Sequence, residues 1–304
     1  ILPALSILLH SAGCRALHGQ TKGFDKTPGL KVPAITYTQI PPKTEDTMTV
    51  TPAESQTPKP SESPLPPQAG IKITIVYDNN PYRTGLQSDW GFAAVVEYGE
   101  ERLLFDTGKN GTILLSNMKK LDIRPQSIDY LVLSHGHSDH TGGVGALLAE
   151  GARPTTYVLP SLYPSLLSQL RDKTEVVKSK SGQQIVDRFY TTGELAGSPP
   201  EQALVLDTTK GLVVITGCAH PGIVQMVRET KMVFHEKPYL VMGGFHLGDK
   251  SAAQIEIILK QFRKLGVVHV APCHCSGAEA RRIFAREYGE QYLDAGVGRV
   301  IDIY

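Results

Sequence analysis

Residues 134–143 read Ser-His-Gly-His-Ser-Asp-His-Thr-Gly-Gly and place three of the chain's ten histidines within six positions. The run follows the apolar residues 130–133, which predict a buried strand, so it lies on the loop that leaves the strand's carboxyl end. Imidazole nitrogens and carboxylates are ligands that suit divalent metals of intermediate softness. This dense spacing therefore predicts a metal site.

The spacing also predicts a division of the donors between two ions. In an extended loop alternate side chains face the same side, so His135 and His137 can share one ion. Asp139 and His140 turn toward a second ion. The glycines that follow let the backbone turn and open a helix.

Five segments resemble the signature of the metallo-β-lactamase fold superfamily. They are residues 103–108 (Leu-Leu-Phe-Asp-Thr-Gly), 135–140 (His-Gly-His-Ser-Asp-His), 217–222 (Gly-Cys-Ala-His-Pro-Gly), 243–247 (Gly-Gly-Phe-His-Leu) and 272–277 (Pro-Cys-His-Cys-Ser-Gly). The last two resemble the branch of metallohydrolases related to dihydropterin/ribofuranosylaminobenzene-phosphate synthase. The resemblance covers residues 71–304.

The resemblance implies two divalent ions, with zinc expected and iron or manganese as alternatives. Its motifs imply three ligands for each ion: His135, His137 and His220 for the first, and Asp139, His140 and His274 for the second. Asp106 is expected to orient a ligand by hydrogen bonding without binding metal itself.

Residues 243–246 depart from the family pattern, because many members have a bridging aspartate where this chain has Gly-Gly-Phe-His. Two roles stay open for His246: a ligand of the second ion, or a hydrogen-bond donor or general acid toward the substrate. We expect Asp139 and His246 to take part directly in catalysis. Without the bridging carboxylate, the ions would sit further apart or one site would be weak.

Three cysteines lie close to the proposed ligands in the sequence, and Trp90 precedes the second strand pattern. Cys218, Cys273 and Cys275 are each within two positions of a ligand, but residues that flank His274 on a strand would point away from its side. We therefore expect the three cysteines to pack behind the site. Trp90 either lines the pocket or has only a packing role.

The hydrophobic pattern predicts the fold class. Alternating apolar residues begin at Ile71, and strand and helix patterns then mix along the chain without a linker-like break. Two stacked mixed sheets flanked by helices satisfy this order. We predict an α+β fold, an αββα four-layer sandwich, with residues 71–304 as one catalytic domain.

The first 70 residues have a different composition. The chain begins with Ile1 instead of methionine, which predicts a start further upstream, and residues 1–14 pass from an apolar run through small residues to Cys14. This resembles a lipoprotein signal; an ordinary cleaved signal or a stray apolar terminus stays open. Residues 15–70 hold ten of the 21 prolines and predict a disordered tether or a tail without function. The expected location is the bacterial cell envelope, periplasmic or at the cell surface, with a lipid anchor as the only membrane contact.

The charge balance excludes one class of partner. The chain has 31 basic and 30 acidic side chains, so it lacks the positive charge of a nucleic-acid binder. Its apolar content of 41% suffices for a buried core, and no apolar run approaches the roughly 20 residues of a membrane span.

The expected function is hydrolysis of a small ester. Two ions would acidify a shared water to a hydroxide nucleophile, and no Gly-x-Ser-x-Gly nucleophile motif is present. The resemblance favours a phosphate-bearing substrate and a phosphodiester in particular. The alternatives are an iron-dependent redox enzyme on the same fold and a tethered binding protein without catalysis.

Overall fold

The computed structural model describes residues 70–162 and 164–304. The predicted signal and tether, residues 1–14 and 15–70, lie outside the described residues except for Gly70. No helix in the described part has the length and apolar character of a membrane span.

Thirteen strands of the described part of the chain form two mixed sheets. The first sheet has the order β13-β1-β2-β3-β4-β5-β6 and is formed by β1 (Ile71–Asp78), β2 (Phe92–Tyr98), β3 (Glu101–Phe105), β4 (Tyr130–Val132), β5 (Thr155–Val158), β6 (Val176–Lys178) and β13 (Val300–Ile303). The second sheet has the order β12-β11-β10-β9-β8-β7 and is formed by β7 (Gln183–Val186), β8 (Phe189–Thr191), β9 (Leu204–Thr208), β10 (Gly211–Thr216), β11 (Pro238–Gly244) and β12 (His269–Cys273).

Helices cover the outer face of each sheet. The seven α-helices of the described residues are α1 (Gly111–Lys120), α2 (Ser138–Thr141), α3 (Val144–Ala149), α4 (Pro164–Arg171), α5 (Ile223–Phe234), α6 (Ala252–Leu265) and α7 (Ala278–Tyr288). Short 3-10 turns occupy Pro125–Ser127, His274–Ser276 and Gly289–Gln291.

Three apolar clusters hold the four layers together. One lies between the sheets and contains buried residues such as Phe105 and Phe189. A second packs α1 and α3 on the first sheet, and a third packs α5, α6 and α7 on the second. Each sheet is therefore buried on both faces, which confirms the predicted αββα sandwich.

Strong local patterns predict element bounds well. The sequence pattern predicts a strand at Phe92–Tyr98 and helices at Ala252–Leu265 and Ala278–Tyr288, and these bounds coincide with those of β2, α6 and α7. In α6 the Ser251 side chain and Gln254 form a capping box, and the left-handed Gly266 ends the helix. Strands β6, β7 and β8, by contrast, are missing from the sequence prediction.

Candidate metal centre

The predicted site residues meet at one end of the sandwich, where strands of both sheets finish. His135 follows β4, Cys218 and His220 follow β10, and His274 follows β12. In open sheets flanked by helices, ligands commonly bind outside the carboxyl ends of strands, because the connecting loops converge there. Segments that lie far apart in the sequence are thereby brought to one place.

His135, His137 and His220 form the first group of donors, which we call the three-histidine group. Their ligand atoms all lie within 4.8 Å of one another, and His135 Nε2 is 3.1 Å from His137 Nδ1. His135 is buried, His220 is half-buried and His137 is exposed. The group therefore has one side that a small molecule can reach.

Asp139, His140 and His274 form the second group, which we call the Asp139 group. Asp139 Oδ2 lies 3.7 Å from His140 Nε2 and 3.4 Å from His274 Nε2. Both histidines are buried, whereas Asp139 is half-buried. The structure thus places all six predicted ligands in two neighbouring groups of three; that they bind metal stays a prediction.

Asp106 connects the two groups through hydrogen bonds. Its Oδ2 atom lies 2.7 Å from His140 Nδ1 and accepts a hydrogen bond of 2.7 Å from Ser134 Oγ. Ser134 Oγ in turn lies 2.9 Å from His135 Nδ1. When Nδ1 of a neutral imidazole donates to these oxygens, its Nε2 lone pair is left for a cation.

Asp106→Asn is expected to weaken metal binding by about 10- to 100-fold. An amide group facing His140 Nδ1 would favour the tautomer that carries its proton on Nε2, which removes the lone pair. Asn tolerates the left-handed backbone of Asp106 (φ 58°), so the exchange adds no strain. Competition with a chromophoric chelator measures the affinity; Asp122→Asn, at an exposed left-handed aspartate, is the control. Equal affinities for both variants would contradict the role of Asp106.

Glu201 is a functional residue that sequence reasoning missed. Its carboxylate is fully buried and accepts four backbone N–H bonds of 2.9 Å each. Three of them, from Gly217, Cys218 and Ala219, go to Oε1, and the fourth, from His220, goes to Oε2. This carboxylate fixes the loop that presents His220. No local motif marks Glu201, because its role depends on a contact formed only in the fold.

Four non-glycine residues around the site have left-handed backbone conformations. Asp106, Ala219, His246 and His274 have φ values of 58°, 62°, 53° and 48°. Each lies within three residues of a strand end. A left-handed residue with a side chain costs about 1 kcal/mol, and such strain is concentrated at functional sites because the surrounding structure holds it.

The electrostatic environment differs between the two groups. Burial and the neighbouring imidazoles lower the pKa of His135, and burial together with His246 and His137 lowers the pKa of His220 to about 4. His135 and His220 are therefore held as neutral imidazoles. Neutral imidazole is the form that binds metal.

Carboxylates dominate the Asp139 group. Burial opposes charge on His140, but Asp106, Asp139 and Glu201 raise its pKa to about 9. Burial also opposes ionisation of Asp139, yet its hydrogen bond with His274 and the two nearby imidazoles hold its carboxyl pKa below its usual range. The group attracts positive charge, whether carried by a proton or by a cation.

The cysteines differ from the sequence expectation at two of three positions. Cys273 is buried on β12 beside Asp78, as expected. Cys275 Sγ, however, lies 3.6 Å from the Cys218 carbonyl oxygen, because the strand ends at Cys273 and the left-handed His274 starts a 3-10 turn. The alternation of a strand therefore no longer determines its direction. Cys218 does not pack behind the site: its ligand atom lies among those of the Asp139 group.

His246 and Trp90 lie at the accessible side of the site. The His246 ring centroid is 4.6 Å from that of His220, and its ligand atom groups with His220 and Cys218. The structure thus places His246 beside the three-histidine group, against a role as ligand of the second ion. Trp90 is 49% exposed and donates a 2.9 Å hydrogen bond from its indole nitrogen to Asp139 Oδ2. Its position supports the pocket-lining alternative.

The donors fit a divalent cation. His220 Nε2 is buried and has no hydrogen-bond partner among the described residues. Buried polar atoms are normally paired, so an orphaned imidazole nitrogen in a cluster of donors calls for a ligand. The mixture of imidazoles, a carboxylate and a thiol is typical of zinc and of first-row transition metals.

The four-layer fold with histidines and an aspartate at its strand ends defines a protein of the metallo-β-lactamase type. The family model described as "Metallo-beta-lactamase superfamily" matches residues 91–228. The 7,8-dihydropterin-6-methyl-4-(beta-D-ribofuranosyl)-aminobenzene-5'-phosphate synthase of Methanocaldococcus jannaschii is 30% identical over 282 residues, which cover 76% of this chain and 96% of the relative. The chain belongs to the metallo-β-lactamase superfamily.

Solved structures agree with this assignment. Tm1679, described as a metal-dependent hydrolase of the beta-lactamase superfamily, is 28% identical with a TM-score of 0.66; the match covers 77% of this chain and 99% of that one. The metallo-beta-lactamase fold protein YhfI of Bacillus subtilis shares the fold at 15% identity and a TM-score of 0.57, with coverage of 77% and 99%.

Proposed function

We propose that the chain is a metal-dependent hydrolase of small phosphate-bearing esters, with phosphodiesters preferred. The observation that carries the proposal is the convergence of six donors into two adjacent groups with an accessible side at His137. A binding module has no need of two such groups side by side. The Methanocaldococcus jannaschii relative is named as a synthase of a phosphate ester, which supports a phosphate-bearing substrate for this chain.

The three-histidine group and the Asp139 group would each hold one divalent ion. Bound divalent ions lower the pKa of water and withdraw electron density from a phosphoryl or carbonyl group. The protein supplies no serine or cysteine nucleophile in a Gly-x-Ser-x-Gly turn, so its own residues bind, orient and move protons.

Two exposed residues can act on the substrate. His246 lies at the accessible side next to His220, where its imidazole can donate a proton to the departing oxygen. Trp90 presents an indole face to an apolar or planar part of the substrate, and its N–H holds one oxygen of Asp139. Asp139 is thereby kept in one orientation toward its group.

A substrate panel tests the proposal. The full chain is freed of metal with a chelator, reloaded with zinc, manganese or iron(II), and assayed with bis(p-nitrophenyl) phosphate, an acyl lactone and a β-lactam. We expect no turnover without metal and a phosphodiester rate at least about tenfold above the other two, because the proposed ions neutralise a phosphoryl charge. Metal-independent hydrolysis, or no hydrolysis of any ester, would contradict the proposal. An iron-containing chain with a visible absorbance band and no hydrolysis would favour a redox enzyme.

We also propose, from the sequence alone, that the chain is exported and attached to the cell envelope by a lipid on Cys14. Residues 15–70 would act as the tether of the catalytic domain. Metabolic labelling with a radioactive fatty acid tests this: label should enter the chain and be absent from Cys14→Ser. Label that persists in this variant would contradict the attachment site.

A further inference from the structure

Cys218 lies where the two donor groups meet. Its Sγ atom is 3.2 Å from His140 Nε2 and 3.3 Å from His274 Nε2. Its ligand atom also lies within 4.8 Å of those of His220 and His246. The side chain is buried, and Glu201 holds its backbone N–H. The thiol is therefore fixed at a point shared by both groups.

The distances between these donor atoms lie close to those of a tetrahedral metal site. With metal–nitrogen distances of about 2.0 Å and metal–sulfur distances of about 2.3 Å, neighbouring donor atoms stand roughly 3.3–3.6 Å apart. Four pairs among Cys218, His140, His274 and Asp139 are separated by 3.2, 3.3, 3.4 and 3.7 Å. All four ligand atoms lie within 4.8 Å of one another, so they can occupy the four corners of one tetrahedral site.

The orientation of the two imidazoles supports the same arrangement. His140 Nδ1 is 2.7 Å from Asp106 Oδ2, and His274 Nδ1 is 3.0 Å from Asn79 Oδ1. Both Nδ1 atoms face oxygen acceptors, and both Nε2 atoms face the Cys218 sulfur. A cation between the sulfur and the two Nε2 atoms could therefore bind all three.

We propose that the Cys218 thiolate is the fourth ligand of the ion held by Asp139, His140 and His274. The proposal rests on the metal centre of the proposed function. On binding, the S–H bond breaks, a sulfur–metal bond forms and the proton passes to solvent, with no change of oxidation state. The site is then closed by four protein ligands and selects thiophilic metals, while the three-histidine group keeps an open position for water or substrate.

Cobalt(II) titration of the metal-free full chain tests the proposal. A thiolate ligand produces a sulfur-to-cobalt charge-transfer band in the near ultraviolet, and we expect this band in the unmodified chain. Cys218→Ser should abolish the band and weaken one of two cobalt equivalents by at least about tenfold. Cys273→Ser, which removes a buried thiol beside Asp78, should leave the band unchanged.

The outcomes separate this proposal from the proposed function. Two bound equivalents of cobalt without the band in the unmodified chain would overturn the role of Cys218 and leave the hydrolase proposal intact. A band that survives Cys218→Ser, or disappears in Cys275→Ser alone, would also overturn it. A chain that binds no cobalt would instead refute the metal centre on which both proposals depend.

Discussion

Glu201→Ala is expected to lower the free energy of unfolding by roughly 3 kcal/mol, because it leaves four buried backbone N–H groups without their acceptor. Each unsatisfied buried donor costs about 1–3 kcal/mol, and water that enters the space of the side chain offsets part of the sum. For a domain of this size, the midpoint of thermal unfolding should fall by roughly 6–12 °C.

Thermal unfolding of the metal-free chain measures this effect, since metal then contributes nothing to stability. Glu236→Ala, at an exposed position after α5, is the matched control and should change the midpoint by about 1–2 °C at most. Glu201→Gln keeps one acceptor oxygen but turns an amide toward a backbone donor. Its unfolding midpoint should therefore lie between those of Glu201→Ala and Glu236→Ala. A Glu201→Ala midpoint equal to that of the control would contradict the role assigned to this carboxylate.

His137→Ala is expected to reduce phosphodiester turnover by about a thousandfold or more and to lower the bound metal from two equivalents to one. Metal ions contribute several kcal/mol of transition-state stabilisation, and each 1.4 kcal/mol corresponds to a factor of ten in rate. The side chain is exposed, so the fold should lose less than about 0.5 kcal/mol of stability. Activity, metal content and thermal unfolding are measured on the same preparation.

The control for this variant is another exposed histidine. His235 ends α5 in a left-handed conformation, which asparagine also adopts, so His235→Asn should keep full activity and both metal equivalents. Unchanged turnover in His137→Ala would contradict the hydrolase proposal. If His137→Ala loses both its activity and its fold, His137→Gln separates the two effects. This variant keeps a polar side chain of similar length and should remain folded but inactive.

Sequence reasoning succeeds where the physical signal is local. Alternating apolar residues from Ile71 onward predict β1, and the helix-like pattern of residues 252–265 predicts α6. Strands β6 and β7 are only three and four residues long and half-exposed, so they carry no clear alternation. Their pairing depends on neighbours supplied by the rest of the sheet.

The candidate site shows the same division. The resemblance to the metallo-β-lactamase motifs implies which six residues lie together, and the structure brings them together because strand ends converge at one end of the sandwich. The direction of Cys275 depends on a left-handed residue that the sequence does not mark. Glu201 contacts the loop of residues 217–220 only in the folded chain. Its carboxylate accepts a hydrogen bond from the Cys218 backbone N–H, which fixes the position of Cys218.

Asp106, Ser134, Asn79 and Glu201 hold the donor residues in place by hydrogen bonds alone, without a metal–ligand bond. In a zinc finger the metal organises the chain, so removal of the metal unfolds it. Here the metal-free protein should remain folded and able to bind metal again. One protein molecule could therefore exchange its bound ion for another. The supply of metals in the surroundings would then decide which ion each copy carries.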